Sequence, residues 1–381
     1  MDSVLIIAGE NSGDRYGAEL VKEFKKKYSQ IEFFGIGGSH MEHEGVQLLF
    51  SVQDLALVGI IEVLSHIPRI KKIFNSITDE VKKRKPVAAV LIDSPDFNLR
   101  LAKKMKRLAV PVPVLYFISP TVWIWRKWRL RIIKKYVHKM LLIFPFEEDI
   151  YRKYDIPAVF VGHPLVNKVN ISMTREDFYH KYGINSEKIL ICLLPGSRSS
   201  EIGYHMPSLM EALKKINQKF DVQFVLNLAK NLDKDFVLKY IPSGLNNILS
   251  LTEEDAYAAM AYSDMALSSC GTANLELALL EIPFLAFYRL SPLTYNLGIH
   301  LMKLKNYSIV NILAGVEVVP ELIQKKFTPD NIFIETQDIL ESQQKQEKMI
   351  TEFKKIKGLL GEKNAPQNAA IELAKLIGET E

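Results

Sequence analysis

Short apolar runs recur along the chain, and glycine-containing turns and helical stretches separate them. Several of these runs lack the period-two alternation of a strand with one wet face, so they are typical of strands buried on both faces. The predicted strands are residues 4–8, 88–92, 114–118, 141–144, 189–194, 223–226, 265–267 and 284–287. The predicted helices are residues 16–27, 100–108, 204–219, 256–262 and 273–280. This alternation predicts an α/β fold with parallel sheets built from βαβ units.

A polar stretch after Gly162, His163 and Pro164 predicts a domain boundary. A strand-like run, residues 158–161, ends there, and a new strand–loop–helix series begins at Ile189. The 381 residues, of which 48% are apolar, suffice for two α/β domains that each have a core. We therefore expect an N-terminal domain over residues 1–165, a second domain over residues 166–342, and a charged helical segment, residues 343–381, that packs back across the boundary.

Composition narrows the class of protein only slightly. The net charge of +5, from 49 basic and 44 acidic residues, permits an anionic partner without naming one. Cys192 and Cys270 lie in apolar stretches without Cys or His at metal-ligand spacing, which predicts buried, reduced thiols in a reducing compartment. The opening run, residues 4–9, is typical of a first strand rather than a signal peptide, and no segment has the roughly 18 uninterrupted apolar residues of a membrane span.

The first predicted strand leads into a turn of glycine and polar residues, where backbone N–H groups at a helix N-terminus can hold an anion or a polar ligand. Ligands of open α/β sheets bind at the carboxyl ends of strands, which favours a site here. The alternative is a tight βα turn in which Ser12 or Asp14 caps the helix. The candidate residues are Gly9, Glu10, Ser12, Gly13 and Asp14.

Asp93 follows the apolar run 88–92, at the carboxyl end of a predicted strand. A carboxylate in that place can accept a proton from a sugar hydroxyl, so we predict that Asp93 is a general base. Asp96 and Asn98 lie in the same loop and are predicted to cap nearby backbone groups.

Two further strand-to-helix turns lie in the second half of the chain. In the first turn a glycine lets the backbone approach a ligand, and Arg198 offers a guanidinium fork for a diphosphate. In the second turn a helix N-terminus presents N–H groups to an anion, and Glu276 can accept hydrogen bonds from a ribose diol. Together the turns favour a nucleotide diphosphate site. Its candidate residues are Gly196, Ser197, Arg198, Glu201, Gly271, Thr272, Ala273 and Glu276.

Residues 57–81 carry apolar side chains at helical spacing, with cations beside them. One interpretation is a helix that faces the core, and the other is an amphipathic surface that contacts lipid. The residues in question are Arg69, Ile70, Lys71, Lys72, Ile73, Phe74 and Ile77. A second basic run, residues 126–139, contains no acid and predicts either a solvated helix face or contact with phosphate or an anionic bilayer. No nucleic-acid-binding module surrounds it, so nucleic acid is not an expected partner.

The ordered set of motifs resembles the lipid-A-disaccharide synthase family, which are glycosyltransferases of the two-lobed GT-B type. The matching stretches run from Ala8 to about Gly315 and read AGENSGD, GIGGSHMEHEG, LVGIIEVL, IDSPDFN, ISPTVWIWR, FPFEEDIY, FVGHPL, LPGSRSSE, GTANLE and NILAG. The resemblance implies an α/β fold of GT-B type, in which two Rossmann-like parallel-sheet domains face each other across a cleft.

The resemblance also implies a reaction. A 2,3-diacylglucosamine unit would pass from UDP-2,3-diacylglucosamine to the 6-hydroxyl of 2,3-diacylglucosamine 1-phosphate, with inversion, to give the β-1,6-linked disaccharide 1-phosphate and UDP. Asp93 would be the base, and Arg198 with the helix that opens at Gly271 and Thr272 would stabilise the departing UDP. The turn that begins at Gly9 would belong to the acceptor side, and Asn311, in the NILAG stretch, would reach the phosphates or sugar of the donor.

Acylated substrates would place the protein in the cytoplasm, peripheral to the cytoplasmic face of the inner membrane, and they favour the lipid interpretation of residues 57–81. No cofactor is expected, and no metal, because the chain lacks an acidic D-x-D pair that could hold a nucleotide through a divalent ion. A homodimer is left open. Two alternatives remain: another GT-B transferase or epimerase that uses UDP-N-acetylglucosamine, and a non-catalytic protein that binds UDP or lipid.

Overall fold

The structure is a computed structural model that describes residues 2–56, 63–108, 111–124, 126–166, 168–291, 305–361 and 363–379, without the side chains of 56 and 63–67. The chain divides into two compact units. Domain 1 consists of Met1–Pro164 and Leu360–Glu381, and domain 2 consists of Leu165–Leu359.

Strands and helices alternate through both domains. The strands are β1 (Ser3–Ala8), β2 (Glu32–Gly37), β3 (Val46–Ser51), β4 (Ala88–Ile92), β5 (Val114–Phe117), β6 (Lys139–Leu142), β7 (Ala158–Phe160), β8 (Ile189–Leu194), β9 (Val222–Asn227), β10 (Leu249–Thr252), β11 (Met265–Ser269), β12 (Phe284–Tyr288) and β13 (Glu321–Ile323). The helices are α1 (Asn11–Lys25), α2 (Ser39–His43), α3 (Val52–Ala56), α4 (Val63–Arg84), α5 (Pro95–Met105), α6 (Arg129–Tyr136), α7 (Glu147–Arg152), α8 (Arg175–Tyr182), α9 (Ser199–Lys219), α10 (Lys234–Leu238), α11 (Ala256–Ala261), α12 (Thr272–Leu279), α13 (Ile309–Ala314), α14 (Pro329–Glu341), α15 (Gln343–Leu360) and α16 (Ala365–Leu376).

Domain 1 has a parallel sheet with the strand order β3-β2-β1-β4-β5-β6-β7. Alternate residues of its strands enter two cores, because successive side chains of a strand point to opposite faces. Val4 and Ile6 pack with α1 and α16 on one face. Leu5 and Ile7 pack with α4, α5 and α6 on the other face. Strands covered on both faces explain the continuous apolar runs of the sequence.

Domain 2 has a second parallel sheet, with the order β10-β9-β8-β11-β12-β13. Its central strands are as deeply buried as those of domain 1, and Leu190, Ile191 and Leu267 have no exposed surface. Helix α15 belongs to this domain, where Phe353 stacks on Phe284 at 5.7 Å between ring centroids. The last helix, α16, belongs to domain 1 and packs against α1.

The sequence missed some of the strands. The unpredicted strands are β2, β3, β10 and β13, and all except β2 lie at a sheet edge. Edge strands keep polar residues, as in the Leu-Ser-Leu-Thr of β10, and so lack the apolar run that marks a central strand. The run predicted at 141–144 is displaced, since β6 covers Lys139–Leu142.

Among the side chains that the structure describes, helix α4 buries Ile73 and Ile77, two of those that we predicted to contact a membrane. Ile73 and Ile77 are 2% and 0% exposed and pack in the core shared with Leu5 and Ile7. Phe74 is half-buried and meets the ring of Phe97 edge-on at 5.9 Å. The predicted docking by Ile73, Phe74 and Ile77 is therefore wrong, because a spacing of three or four residues turns these side chains toward the sheet.

The cations of the same helix do lie at the surface. Lys71 and Lys72 are exposed, Ile70 is half-buried, and the exposed Arg69 pairs with Asp54. The first part of the predicted stripe, residues 57–62, lies outside the described residues. Among the helices that the structure describes, none is both long enough and apolar enough to cross a membrane.

Candidate functional site

Asp93 lies at the carboxyl edge of the domain 1 sheet, directly after β4. Strand β4 pairs with β1 so that Ile92 is opposite Ala8, and this register brings Asp93 near Glu10, which follows β1. Burial and, to a lesser extent, the negative charge of Glu10 raise the pKa of the Asp93 carboxyl to about 6. A carboxyl group with a pKa close to neutral is suited to accept a proton.

The backbone at Asp93 is in an unusual conformation. The φ angles of Asp93 and Ser94 are 48° and 42°, values that residues other than glycine rarely adopt. The carbonyl oxygen of Asp93 accepts a hydrogen bond from the Tyr116 hydroxyl at 2.5 Å and another from Asn98 Nδ2 at 2.8 Å. A Cβ atom on Gly9 would lie 1.8 Å from Ser94 Oγ, so this turn requires glycine at position 9.

In the turn after β1, the Asp14 carboxylate binds backbone groups of the protein itself. The Asp14 carboxylate is 3% exposed and accepts the N–H groups of Gly38 at 2.6 Å, Met41 at 3.1 Å and His40 at 3.2 Å. Asp14 therefore ties the second glycine turn and α2 to α1, and its predicted acceptor contact is wrong because its oxygens are engaged by buried backbone donors. The predicted capping of α1 by Ser12 or Asp14 is also wrong, since Glu10 is the N-cap and makes no side-chain cap bond.

The other residues of that turn differ in exposure. Gly13 is buried, and a Cβ there would lie 3.3 Å from Ala8 Cβ, whereas Glu10 and Ser12 are exposed. Their predicted acceptor role stays a prediction. Asn98, which the structure places in the first turn of α5 rather than in a loop, binds backbone as predicted, through the carbonyls of Ile92 and Asp93.

Asp96 does not cap backbone as predicted. Its carboxylate receives Arg126 Nη1 at 3.0 Å and Arg129 Nη2 at 2.7 Å. The Arg129 side chain is only 5% exposed. Helix α6 therefore places a buried cation against α5, the helix that follows Asp93. Local sequence could not show this pairing, because α5 and α6 meet only in the folded sheet.

A buried acid that the sequence analysis missed lies at the start of α7. Glu147 is 2% exposed, and burial raises the pKa of its carboxyl to about 8. The N–H of Phe144 donates to Glu147 Oε2 at 3.3 Å. Ser119, which also stabilises this carboxylate, lies 2.8 Å from the Tyr151 hydroxyl. The available signal was FPFEEDIY, in which an acid directly follows an aromatic run.

Domain 2 contains a cavity of about 350 Å³ at the carboxyl ends of β8 and β11. These strands are neighbours, with Leu194 opposite Ser268, so the two predicted phosphate turns lie side by side. Seven predicted residues line the cavity: Gly196, Ser197, Arg198, Glu201, Gly271, Thr272 and Ala273. The sequence analysis missed Leu194, Asn227, Ala229, Ser269, Cys270 and Tyr288 as lining residues.

Glu201 supports the first of these turns. Its Oε2 accepts the N–H groups of Ser197 at 2.9 Å and Arg198 at 3.3 Å, and its Oε1 accepts the Tyr288 hydroxyl at 3.2 Å. Gly196 has φ of 124°, and a Cβ there would lie 2.5 Å from Glu201 Oε2. Glu201 thus has a structural role in this turn and also lines the cavity, and its predicted donor contact stays a prediction. The Arg198 side chain is 75% exposed and reaches Glu201 only at 3.5 Å.

The second turn begins α12 with Gly271 as N-cap. Asn274 Nδ2 ties the turn to the end of β11, through Ser268 Oγ at 2.9 Å and Ser269 O at 3.0 Å. Glu276 is half-buried and accepts the Tyr257 hydroxyl at 3.0 Å, and burial raises the pKa of its carboxyl. Glu276 does not line the cavity, and its predicted ribose contact stays a prediction.

Asn311 is fully buried. Its Nδ2 donates to Val319 O and to Glu321 Oε1, both at 2.8 Å, and its Oδ1 accepts the N–H groups of Val318 at 2.7 Å and Val319 at 3.0 Å. The predicted contact with the donor is wrong, because every hydrogen-bonding position of the side chain is used to hold the loop before β13.

Cys192 is buried and free, as predicted, whereas the free Cys270 borders the cavity. Among the described residues, no three His, Cys, Asp or Glu side chains are placed together to hold a metal ion.

Comparison with known sequences identifies one protein family that matches nearly the whole chain. The model of the family described as lipid-A-disaccharide synthetase matches residues 4–374. The lipid-A-disaccharide synthase of Myxococcus xanthus is 39% identical over 98% of this chain and 97% of its own. The enzyme of that name from Solibacter usitatus is 36% identical over 99% of this chain and 98% of its own.

Solved structures show the same fold at low identity. The calicheamicin glycosyltransferase has a TM-score of 0.65 and 11% identity, with 100% of this chain and 99% of that chain covered. A UDP-N-acetylglucosamine 2-epimerase from Neisseria meningitidis, bound to UDP-GlcNAc, has a TM-score of 0.64 and 14% identity, with 99% and 100% covered. The predicted fold class, two parallel-sheet α/β domains of GT-B type, is confirmed.

Proposed function

Because the chain belongs to the lipid-A-disaccharide synthase family, a family of glycosyltransferases, we propose that it condenses two diacylated glucosamines. The donor is UDP-2,3-diacylglucosamine, and the acceptor is 2,3-diacylglucosamine 1-phosphate. The products are the β-1,6-linked disaccharide 1-phosphate and UDP. The observation that carries this proposal is the partly buried Asp93 carboxyl, whose pKa burial raises to about 6.

Asp93 acts as the general base of an inverting displacement. The 6-hydroxyl of the acceptor gives its proton to the Asp93 carboxylate while its oxygen forms a bond to the anomeric carbon of the donor. The bond between that carbon and the β-phosphate oxygen breaks, and its electron pair leaves with UDP. A base whose pKa lies near 6 is mostly ionised at pH 7 and is still basic enough to take the proton.

The UDP group binds in the domain 2 cavity. The exposed Arg198 guanidinium neutralises the diphosphate, and the N-terminus of α12, at Gly271 and Thr272, adds N–H donors and a partial positive charge. The protein uses neither a metal nor another cofactor in this proposal, since fixed cations and dipoles stabilise the leaving group.

The acylated substrates place the enzyme at the cytoplasmic face of the inner membrane, held there peripherally. Residues 69–139 contain 19 of the 49 lysines and arginines but only 4 of the 44 acids, so this segment has a net charge of +15 and the rest of the chain −10. Its helices α4, α5 and α6 are neighbours on one face of the sheet. Trp128, at the start of α6, is 55% exposed. We propose this cationic layer, in place of the buried stripe of α4, as the contact with anionic lipid.

The reaction is tested by UDP release from purified protein with both diacylated substrates in detergent. UDP release that requires both substrates, together with a disaccharide product, supports the proposal. Conversion of UDP-N-acetylglucosamine without an acceptor would favour an epimerase, and UDP binding without any product would favour a binding protein. Either result would replace the proposed function.

The membrane contact is tested by sedimentation with vesicles that contain anionic lipid. Neutralising three cations of α6 is expected to weaken binding roughly 100-fold, since each is worth on the order of 1 kcal/mol near an anionic surface. The matched control removes three cations from α9 in domain 2. Equal binding by both triple variants would contradict the assignment. The changes are Arg131→Gln, Lys134→Gln and Lys135→Gln, against Lys214→Gln, Lys215→Gln and Lys219→Gln.

A further inference from the structure

The direction of the Asp93 carboxyl depends on how the sheet ends. Asp93 still donates its N–H to Phe117 O of β5 at 3.0 Å, as a ladder residue does. Strand β5 ends at Phe117, and the next residue, Ile118, has φ of 70° and donates its N–H to Leu141 O of β6, the side that alternate residues of β5 face. Because β5 ends at Phe117, opposite Ile92, the ladder between β4 and β5 stops at Asp93, and the carbonyl oxygen of Asp93 is released from strand pairing.

Two side-chain donors converge on that released carbonyl. The Tyr116 hydroxyl approaches Asp93 O to 2.5 Å, and Asn98 Nδ2 approaches the same oxygen to 2.8 Å and Ile92 O to 3.1 Å. Tyr116 and Asn98 are both 0% exposed, so packing holds each donor in place. Tyr116 comes from β5, and Asn98 comes from the first turns of α5, so the carbonyl is fixed from two elements.

The Asp93 carbonyl belongs to a stretch of backbone in a strained conformation. Asp93 and Ser94 are consecutive residues with positive φ, a conformation that persists for such residues only when the surroundings enforce it. An extended conformation at Asp93 would move its Cα–Cβ bond and with it the carboxyl group. The contact of Ser94 with Gly9 leaves little room for such a change.

We propose that Tyr116 and Asn98 are positioning residues, which hold the Asp93 carbonyl so that the carboxyl stays aimed and shielded for proton abstraction. The inference rests on the proposed function, because it gives Asp93 the role of the base. Neither side chain touches substrate in this assignment. Both act through the backbone of Asp93.

The test is the substitution Tyr116→Phe, which keeps the ring and removes only the hydroxyl. We expect kcat to fall roughly 10- to 100-fold, the scale of a small misplacement of a reacting group, with an unchanged Kd for UDP. The raised pKa of Asp93 predicts an acid limb of the wild-type pH–rate profile near pH 6, and in the variant this limb should move to lower pH. A loosened turn lets water reach the carboxyl, and burial is the main cause of its raised pKa. Asn98→Ala removes the other donor and should act in the same direction.

A matched control is Thr78→Val. Thr78 is buried in the same domain, and its hydroxyl donates to Phe74 O at 2.7 Å, away from Asp93. This variant should lose some thermal stability and keep the wild-type pH profile. If Tyr116→Phe keeps the wild-type kcat, or loses activity with no shift of the acid limb, the positioning role is refuted.

The pKa of Asp93 is also measurable without turnover, by titration of a ¹³C-labelled Asp93 carboxyl that is assigned with Asp93→Asn. If the wild type releases no UDP from the diacylated substrates, the proposed reaction fails. The titration still tests whether Tyr116 and Asn98 hold the Asp93 carbonyl. A lower Asp93 pKa in Tyr116→Phe than in the wild type supports the positioning role, and an equal pKa overturns it.

Discussion

Replacement of Arg198 by alanine is the sharpest perturbation of the proposed donor site. The Arg198 side chain is 75% exposed, and its one described ion pair, with Glu201, is long at 3.5 Å. Its removal therefore breaks little in the free protein, and the thermal stability of domain 2 should hardly change. Any loss of UDP affinity then reports the contact with the ligand rather than a damaged cavity.

The expected magnitude follows from the kind of bond. A hydrogen bond between charged groups contributes about 1.5–3 kcal/mol, and each 1.4 kcal/mol is tenfold in Kd. Arg198→Ala should thus raise the Kd of UDP roughly 10- to 100-fold in calorimetry. Arg198→Lys should give an intermediate value, because an ammonium keeps the charge but loses the planar fork that matches a diphosphate.

The control for charge alone is Lys234→Ala. Lys234 is an exposed cation of domain 2 that pairs with Glu253 and does not line the cavity. The substitution Lys234→Ala should leave the Kd of UDP unchanged at moderate salt. If Arg198→Ala binds UDP as tightly as the wild type, the nucleotide lies elsewhere, and the assignment of the cavity fails with it.

Four further outcomes are expected. Asp93→Ala should lower kcat roughly 100-fold or more with a folded protein, and wild-type activity should decline below about pH 6, as pH–rate profiles would show. Glu276→Ala should weaken UDP binding less than Arg198→Ala in the same calorimetry. Burial raises the pKa of Glu147 to about 8, so the folded state holds a proton that the unfolded state releases, and stability falls as pH rises from about 4.5 to 8. Glu147→Gln should flatten that fall by up to about 1.4 kcal/mol per pH unit in denaturant titrations. Ile73→Ser should destabilise domain 1 by about 3 kcal/mol while UDP binding persists, and a stable variant would restore Ile73 as a surface residue.

The fold was predictable where buried strands and helices require a recognisable pattern of apolar residues. The central strands β1, β4, β8 and β11 are covered on both faces, and each appears as a continuous apolar run. The edge strand β13 is only three residues long and begins with a glutamate, so it shows no apolar run that stands out from a loop. The helix α4 shows the converse limit: its apolar spacing was correctly identified, but spacing alone cannot distinguish a sheet from a bilayer as the partner.

The candidate site was predictable where topology alone brings residues together. The turns at Gly196 and Gly271 follow β8 and β11, and parallel neighbours place their carboxyl ends at one edge. The hydrogen bond from Tyr116 to Asp93 was not predictable in this way. It depends on where the ladder between β4 and β5 stops, and no residue pattern shows that β5 ends at Phe117, opposite Ile92.

The misassigned residues share one physical cause. Asp14 and Asn311 stand in glycine-containing motifs, and the sequence analysis gave their polar atoms to a ligand. In the folded chain the side-chain oxygens of both residues accept backbone N–H groups, because a buried turn must satisfy its own donors before it can offer any to a ligand. Asp93 is the instructive exception. The N–H of Ser94 lowers the pKa of its carboxyl, but burial outweighs that effect, and the pKa stays raised at about 6. A carboxyl that is buried but left short of donors is ready to take a proton, whereas one that is fully engaged by donors only holds the chain together.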